Sequence, residues 1–302
     1  MFYDAWRQFR RGKHTRDILT FEYNLEQQLS DLESDVKNGT YHHGDYQVVE
    51  ISDKKKRTLH VAAIRDRVVH RFLYDYLVRL YDPTFDEGVF SGRKGRGLDL
   101  ALRKTQAHLA KHPGAFVIRA DIKKAFDSID HAILLDLLRR RVEPAIHALC
   151  REVIRSYSST PNCGIPIGNL TSQIFSLIYL NELDRFVRHD LRPLAYLRYG
   201  DDFIIFFPSK LAAEEANAHL TNFLTRDLKM TLNRKNSVIV KSRQGLRFLG
   251  HIISATELQV DNHTTAKIFK NARFHNLSSY KQLHLSAEVK DALDRQIIDF
   301  LP

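Results

Sequence analysis

The stretch AYLRYGDDFIIFF, residues 195–207, sets two apolar, aromatic-rich runs on either side of Gly200 and Asp201. Runs of this composition read as β-strands, and glycine accepts the positive φ that the first central position of a tight turn requires. The stretch is therefore a hairpin with two adjacent carboxylates, Asp201 and Asp202, at its tip. Like charges so placed repel. Either the tip is a solvated turn, or something strongly positive sits against it.

A second acidic signal lies upstream, in AFVIRADIKKAFDSIDHAILLDLLRRR, residues 115–141. The apolar run 116–120 predicts a buried strand that ends on Asp121, and Asp130 is a favourable N-cap before a helically periodic run. If that strand neighbours the hairpin in one sheet, three carboxylates converge on a single spot. Such a cluster is costly unless divalent cations neutralise it. Hard oxygen ligands suit Mg²⁺, and two such ions about 3.5–4 Å apart clamp the attacking and leaving oxygens of a phosphoryl transfer.

Composition bounds the partners. The chain has 302 residues, 43% of them hydrophobic, enough for a sizeable core in one large domain or two to three subdomains. Lys and Arg number 46 against 36 Asp and Glu, and the formal charge of +10 favours a polyanionic partner. Only Cys150 and Cys163 occur, which excludes a disulfide framework and a four-cysteine zinc site and fits a reducing cytoplasm. No run approaches the roughly 18 apolar residues of a membrane span, and the N-terminus is polar and basic. The expectation is a cytoplasmic protein without membrane association.

Along the rest of the chain, residues 1–37 read as helical, with Gly39 as a stop. Residues 41–62 read as a hairpin whose tip is Asp53-Lys54-Lys55-Lys56, and residues 64–82 as a helix stopped by Pro83. The Gly/Arg/Lys loop in FSGRKGRGLDLAL, residues 90–102, has backbone N–H groups and guanidinium forks suited to phosphate oxygens. Gly-rich basic loops are common, so the loop alone decides nothing.

Asp121 with Ala125-Phe126, then GIPIGNLTSQIFSLIYLNELD (residues 164–184), then YGDD (residues 199–202) resemble, in order and spacing, the palm motifs of reverse transcriptases. Upstream, residues 57–77 and 90–102 resemble the finger motifs of the group II intron-like branch. Downstream, LKMTLNRKNSVIV (228–240) and GLRFLGHII (245–253) resemble the palm lysine motif and the primer grip. The resemblance spans roughly residues 50 to 255. Within the branch, Ile167 stands where most reverse transcriptases have Gln, and Gln173 where they have Pro. That pattern is similar to enzymes of diversity-generating retroelements, which copy a template RNA into cDNA with errors opposite adenines. The chain also resembles them in its short length, without an evident endonuclease, RNase H or maturase domain. Gly200 departs from the usual Val, Met or Ala of the family and matches RNA-templated RNA polymerases instead.

The resemblance implies a role for each position. Asp121, Asp201 and Asp202, with the backbone of Ile122, would hold two Mg²⁺ ions, Mn²⁺ being an alternative. Lys55 and Arg57 would hold the incoming triphosphate, and Lys124, Ala125, Phe126, Ile167, Gly168 and Gln173 would line the nucleotide site. Phe126 would exclude a ribose 2′-OH, and Lys235 would protonate pyrophosphate. Leu249, Gly250 and His251 would grip the primer end. Partners would be template RNA, the primer or cDNA strand, deoxynucleoside triphosphates, and a basic, helical, oligomeric accessory protein.

The fold expected is α+β, a right-hand polymerase with fingers, an antiparallel palm sheet and a short helical thumb. Its divisions are 1–115 for an N-terminal extension and fingers, 116–255 for the palm with part of the fingers interleaved, and 256–302 for the thumb. The function expected is RNA-directed DNA synthesis in a diversity-generating retroelement. One alternative is another bacterial reverse transcriptase, defence-associated or derived from a group II intron. The other is an RNA-binding protein that uses a polymerase scaffold without synthesis. Intact Asp121, Asp201 and Asp202 argue against the last, because binding alone gains nothing from carboxylates facing phosphates.

Overall fold

Apolar residues at helical spacing organise the start of the chain into three helices, α1 (Phe2–Arg10), α2 (Arg16–Tyr23) and α3 (Leu25–Asn38), the last ending at Gly39 as its sequence predicts. The computed structural model describes residues 1–52, 56–272, 280, 283–285 and 289–293. After α3 come β1 (Gln47–Ser52), β2 (Lys56–Val61), α4 (Ile64–Tyr81), α5 (Leu98–Lys111), β3 (Phe116–Asp121), α6 (His131–Arg139), α7 (Pro144–Arg155) and α8 (Leu170–Phe186). Then follow β4 (Ala195–Tyr199), β5 (Asp202–Phe207), α9 (Lys210–Arg226), β6 (Val238–Lys241), β7 (Leu246–Phe248), β8 (His251–Ile253), β9 (Leu258–Val260) and α10 (Asn262–Asn271). Helix and antiparallel sheet are mixed, as expected of an α+β protein. Lys56, expected at the tip of the first hairpin, lies in β2 opposite Ser52, and Asp53, Lys54 and Lys55 lie outside the described residues.

The chain forms two units, each assembled from three segments. The first comprises Met1–Glu87, Ile122–Asp190 and Thr221–Leu232. Here α4 packs against α1 and α8, and α6 against α7 and α8. Helix α8 is buried along most of its length, from Thr171 to Asp184, which is why its apolar residues show no single stripe. Tyr179 of α8 donates to the Leu228 carbonyl (2.7 Å), and Lys229 pairs with Asp130 (2.6 Å), fastening the 221–232 segment. The buried Asp66 accepts from Tyr41 Oη (2.8 Å) and from the Gly44 N–H (3.2 Å), which anchors the approach to β1 onto α4.

The second unit comprises Gly88–Asp121, Leu191–Leu220 and Asn233–Pro302. Its centre is a four-stranded antiparallel sheet in the order β4-β5-β3-β6. Strands β4 and β5 are buried on both faces, so they read as nearly continuous apolar runs rather than alternating ones. One face packs Val117, Leu197, Ile204 and Phe206 against Leu102 and Leu109 of α5 and against Phe248 and Ile253 of the small sheet β7-β8-β9. Asp261 caps α10, accepting from the Thr264 N–H at 2.6 Å. Of the segment expected to form thumb helices, α10 lies within the described residues and 273–279 lie outside them. Among the described residues no helix is long and apolar enough to cross a membrane.

Asp130 fulfils its sequence role at the start of α6: Oδ1 accepts from the Ile133 N–H (3.0 Å) while Oδ2 takes Lys229. Asp130→Ala removes both interactions and is expected to destabilise the fold by about 1–2 kcal/mol, whereas Asp130→Asn, which keeps a capping oxygen, loses less than half of that. Urea unfolding of the three proteins at neutral pH measures the difference.

Candidate active site

Strand β3 lies antiparallel to β5 with Asp121 opposite Asp202, and β4 pairs with β5 so that Tyr199 is also opposite Asp202. Directly opposed residues have Cβ atoms about 4.5–5.5 Å apart, which puts the two carboxylates side by side, with Asp201 the next residue in the turn. The two acidic signals of the sequence therefore meet, as their common strand-to-acid pattern predicts. Gly200 adopts φ +68°, the conformation a glycine supplies most readily at a hairpin tip. Beneath the tip, the fully buried Arg198 donates from Nη1 to the Gly200 carbonyl (2.9 Å), and its own backbone exchanges hydrogen bonds with Gly88 and Phe90.

Burial raises the Asp202 pKa first, the neighbouring charges of Asp201 and Asp121 raise it further, and Arg119 opposes them; the net effect pushes it up to about 7. The donor set consists of hard carboxylate oxygens, and near neutrality a proton competes for Asp202. Such a set fits a divalent cation.

The remaining carboxylate, Asp121, is held by residues the sequence did not single out. Asn233 Nδ2 (2.9 Å) and Asn236 Nδ2 (3.0 Å) both donate to Asp121 Oδ2, and the Asn233 backbone N–H donates to the Asp121 carbonyl (2.8 Å). Both asparagines sit in the run LNRKN, where their spacing reads only as turn chemistry. The same turn carries Lys235, whose side chain is exposed and whose N–H donates to Asn233 Oδ1 (3.3 Å). Also in this unit, Leu249 (φ +50°) and Gly250 (φ +76°) form the two-residue turn between β7 and β8. A Cβ on Gly250 would stand 2.8 Å from Thr264 Oγ1, so the turn is closely backed. His251 is buried and donates from Nδ1 to the Leu249 carbonyl (2.9 Å). Arg119 joins the two features, donating to the carbonyls of Arg247 (2.8 Å) and Asn236 (3.4 Å).

The other unit carries the expected nucleotide-site residues. Ile122 is buried and bridges to Leu232; Lys124 is exposed with φ +50°; Ala125 is buried; Phe126 is half-buried and its carbonyl accepts from the Ile165 N–H (3.0 Å). Ile167 is 39% exposed and its carbonyl accepts from the His60 N–H (3.3 Å), while Asn169 Nδ2 donates to the His60 carbonyl (2.7 Å). The loop at Ile167 and Gly168 is thus fastened to strand β2, which also carries Arg57 opposite Ile51. Gln173 is exposed on the first turn of α8. Lys55 lies outside the described residues.

The pKa of Asp202 sets a pH dependence. Raised above its unfolded value of about 3.9, it contributes stability that is present at low pH and lost as pH rises through about 7. In EDTA, Asp202→Asn is expected to melt several degrees above the wild type at pH 8. The difference should vanish near pH 4, as a melting series across pH measures.

The family described as reverse transcriptase (RNA-dependent DNA polymerase) matches residues 48–253. The chain is 25% identical over 290 residues to protein YkfC of Escherichia coli (strain K12), a match covering 80% of this chain and 76% of that protein. It is 24% identical over 319 residues to the group II intron-encoded protein LtrA of Lactococcus lactis subsp. cremoris, covering 80% of this chain and 53% of the relative, about half of LtrA's length. Among solved structures it is similar to telomerase from Candida albicans in complex with a fragment of telomeric RNA, with a TM-score of 0.57 and 14% identity over 92% of this chain and 60% of that one. Apo telomerase from Candida tropicalis gives 0.56 and 11%, over 91% of this chain and 61% of the other. At these identities the likeness bears on the fold, which is that of a right-hand polymerase.

Proposed function

The chain belongs to the reverse transcriptase family and is an RNA-directed DNA polymerase, and on that premise we propose that it copies a template RNA into error-bearing cDNA within a diversity-generating retroelement. The observation that carries the finer reading is the pair Ile167 and Gln173 at positions where Gln and Pro are usual in the family. A second reading, a group II intron-derived enzyme, is favoured by the name of the relative LtrA.

Asp121, Asp201 and Asp202 would hold two Mg²⁺ ions, which supply Lewis acidity to the primer 3′-OH and to the triphosphate. The chain's own groups do the rest. Phe126 excludes a ribose 2′-OH, and Arg57, with Lys55, holds the incoming triphosphate. Lys235, exposed, serves as the acid for departing pyrophosphate. The Leu249-Gly250-His251 turn positions the primer end. The basic surface holds template RNA and the primer or cDNA strand through phosphate contacts. A basic, helical, oligomeric accessory protein would help retain the template. In this reading residues 1–115 are extension and fingers, 116–255 the palm and 256–302 the thumb.

Asp201→Asn is expected to abolish extension of oligo-dT on poly-rA with Mg²⁺ while leaving template affinity within about twofold; undiminished extension would overturn the assignment of the carboxylates. Ile167 offers apolar contact where Gln would hydrogen-bond around the nascent pair, and one such bond, about 1.4 kcal/mol, corresponds to tenfold in selectivity. Sequencing of cDNA from a defined RNA is therefore expected to show frequent misincorporation opposite adenine, reduced about tenfold in Ile167→Gln. Uniformly low error at all four bases in the wild type would favour the intron-derived reading.

A further inference from the structure

Asp121 is held from one side by two side chains of a single turn. Two neutral amides, Asn233 Nδ2 and Asn236 Nδ2, converge on Oδ2, while among the described residues Oδ1 receives no hydrogen bond. The orientation of the Asn233 amide is fixed, because Oδ1 of the same group accepts from the Lys235 N–H. Its backbone carbonyl closes the turn by accepting from the N–H groups of Asn236 (2.9 Å) and Ser237 (3.0 Å) and from Ser237 Oγ (3.0 Å). The nearby guanidinium is engaged elsewhere: Arg119 bonds the Asn236 and Arg247 carbonyls.

We propose that Asn233 and Asn236 are positioning residues that hold Asp121 by Oδ2 and so reserve Oδ1 for a divalent cation. The inference rests on the reading of Asp121 as a metal ligand. The chemistry of the donors supports it. An Arg or Lys at either position would orient the carboxylate equally well but would cancel the negative charge that a cation needs; an amide orients without neutralising. Arg119 extends the arrangement, since its bonds to Asn236 and Arg247 tie the asparagine turn to β7, the strand leading into the Leu249-Gly250 turn. The carboxylate and the primer-side turn thereby share one rigid frame within this unit.

The test uses the full chain and reads metal binding without catalysis: melting temperature against Mg²⁺ concentration, with no nucleic acid or nucleotide, for wild type, Asp121→Asn, Asn236→Ala and Asn233→Ser. Asn236 is exposed, so its truncation removes a donor and little packing, and Ser at 233 keeps an oxygen for the Lys235 N–H. The wild type is expected to show a saturable Mg²⁺-dependent rise that Asp121→Asn lacks. Each asparagine variant should need about tenfold more Mg²⁺ for the half-maximal rise, the usual effect of removing a partner of a metal ligand. In primer extension the same variants should show the same raised Mg²⁺ requirement, with KM for dTTP unchanged at saturating Mg²⁺. Should Asp121→Asn retain the rise, the metal-ligand reading falls and the inference with it. Should Asp121→Asn lose it while both asparagine variants titrate like wild type, the reading stands and the inference is overturned.

Discussion

The antiparallel register of β3 on β5 is the constraint on which the site depends. With Ala120 opposite Phe203 and Asp121 opposite Asp202, apolar burial and acid clustering are fixed by one alignment. A slip of one residue would turn Asp121, together with Val117 and Arg119 on the same face, to the other face of the sheet. Burial on both faces forbids such a slip, because Val117, Ile118, Phe203, Ile204, Ile205 and Phe206 are almost completely enclosed. Hydrophobic burial along the strands thus offsets the repulsion concentrated at their ends.

Two arginines near the acids brace the backbone around them. Arg198 donates to the Gly200 carbonyl beneath the hairpin tip, and Arg119 donates to the carbonyls of Asn236 and Arg247. Both stiffen backbone around the carboxylates. Arg119 still acts at a distance, lowering the Asp202 pKa against the larger effects of burial and of its acidic neighbours.

Much of this was legible in the sequence because it rests on local chemistry. The strand into Asp121, the glycine turn before Asp201 and Asp202, the Asp130 cap and the Gly39 stop each follow from a residue's intrinsic conformational or capping preference. The meeting of β3 with β5 was legible only as a condition, since pairing across so many residues leaves no local mark. Asn233 and Asn236 were illegible as partners of Asp121: asparagine in a turn has a sufficient local explanation, and the partner is over a hundred residues away in the chain. The fastening of Ile167 and Asn169 to His60 was hidden for the same reason, being carried by backbone groups that every residue possesses.

The three-segment build of each unit bears on how the protein is made. Phe116 pairs with both Phe207 and Lys241, so β3 leaves the ribosome long before either neighbour exists. At roughly 5–20 residues per second, the apolar strand waits on the order of ten seconds for β5, with both edges open. Loop closure over such distances is slow, and open edges invite pairing with other chains. The charged Arg119 and Asp121 at its end act as guards against that fate. Residues that serve the finished site thus also protect the nascent chain.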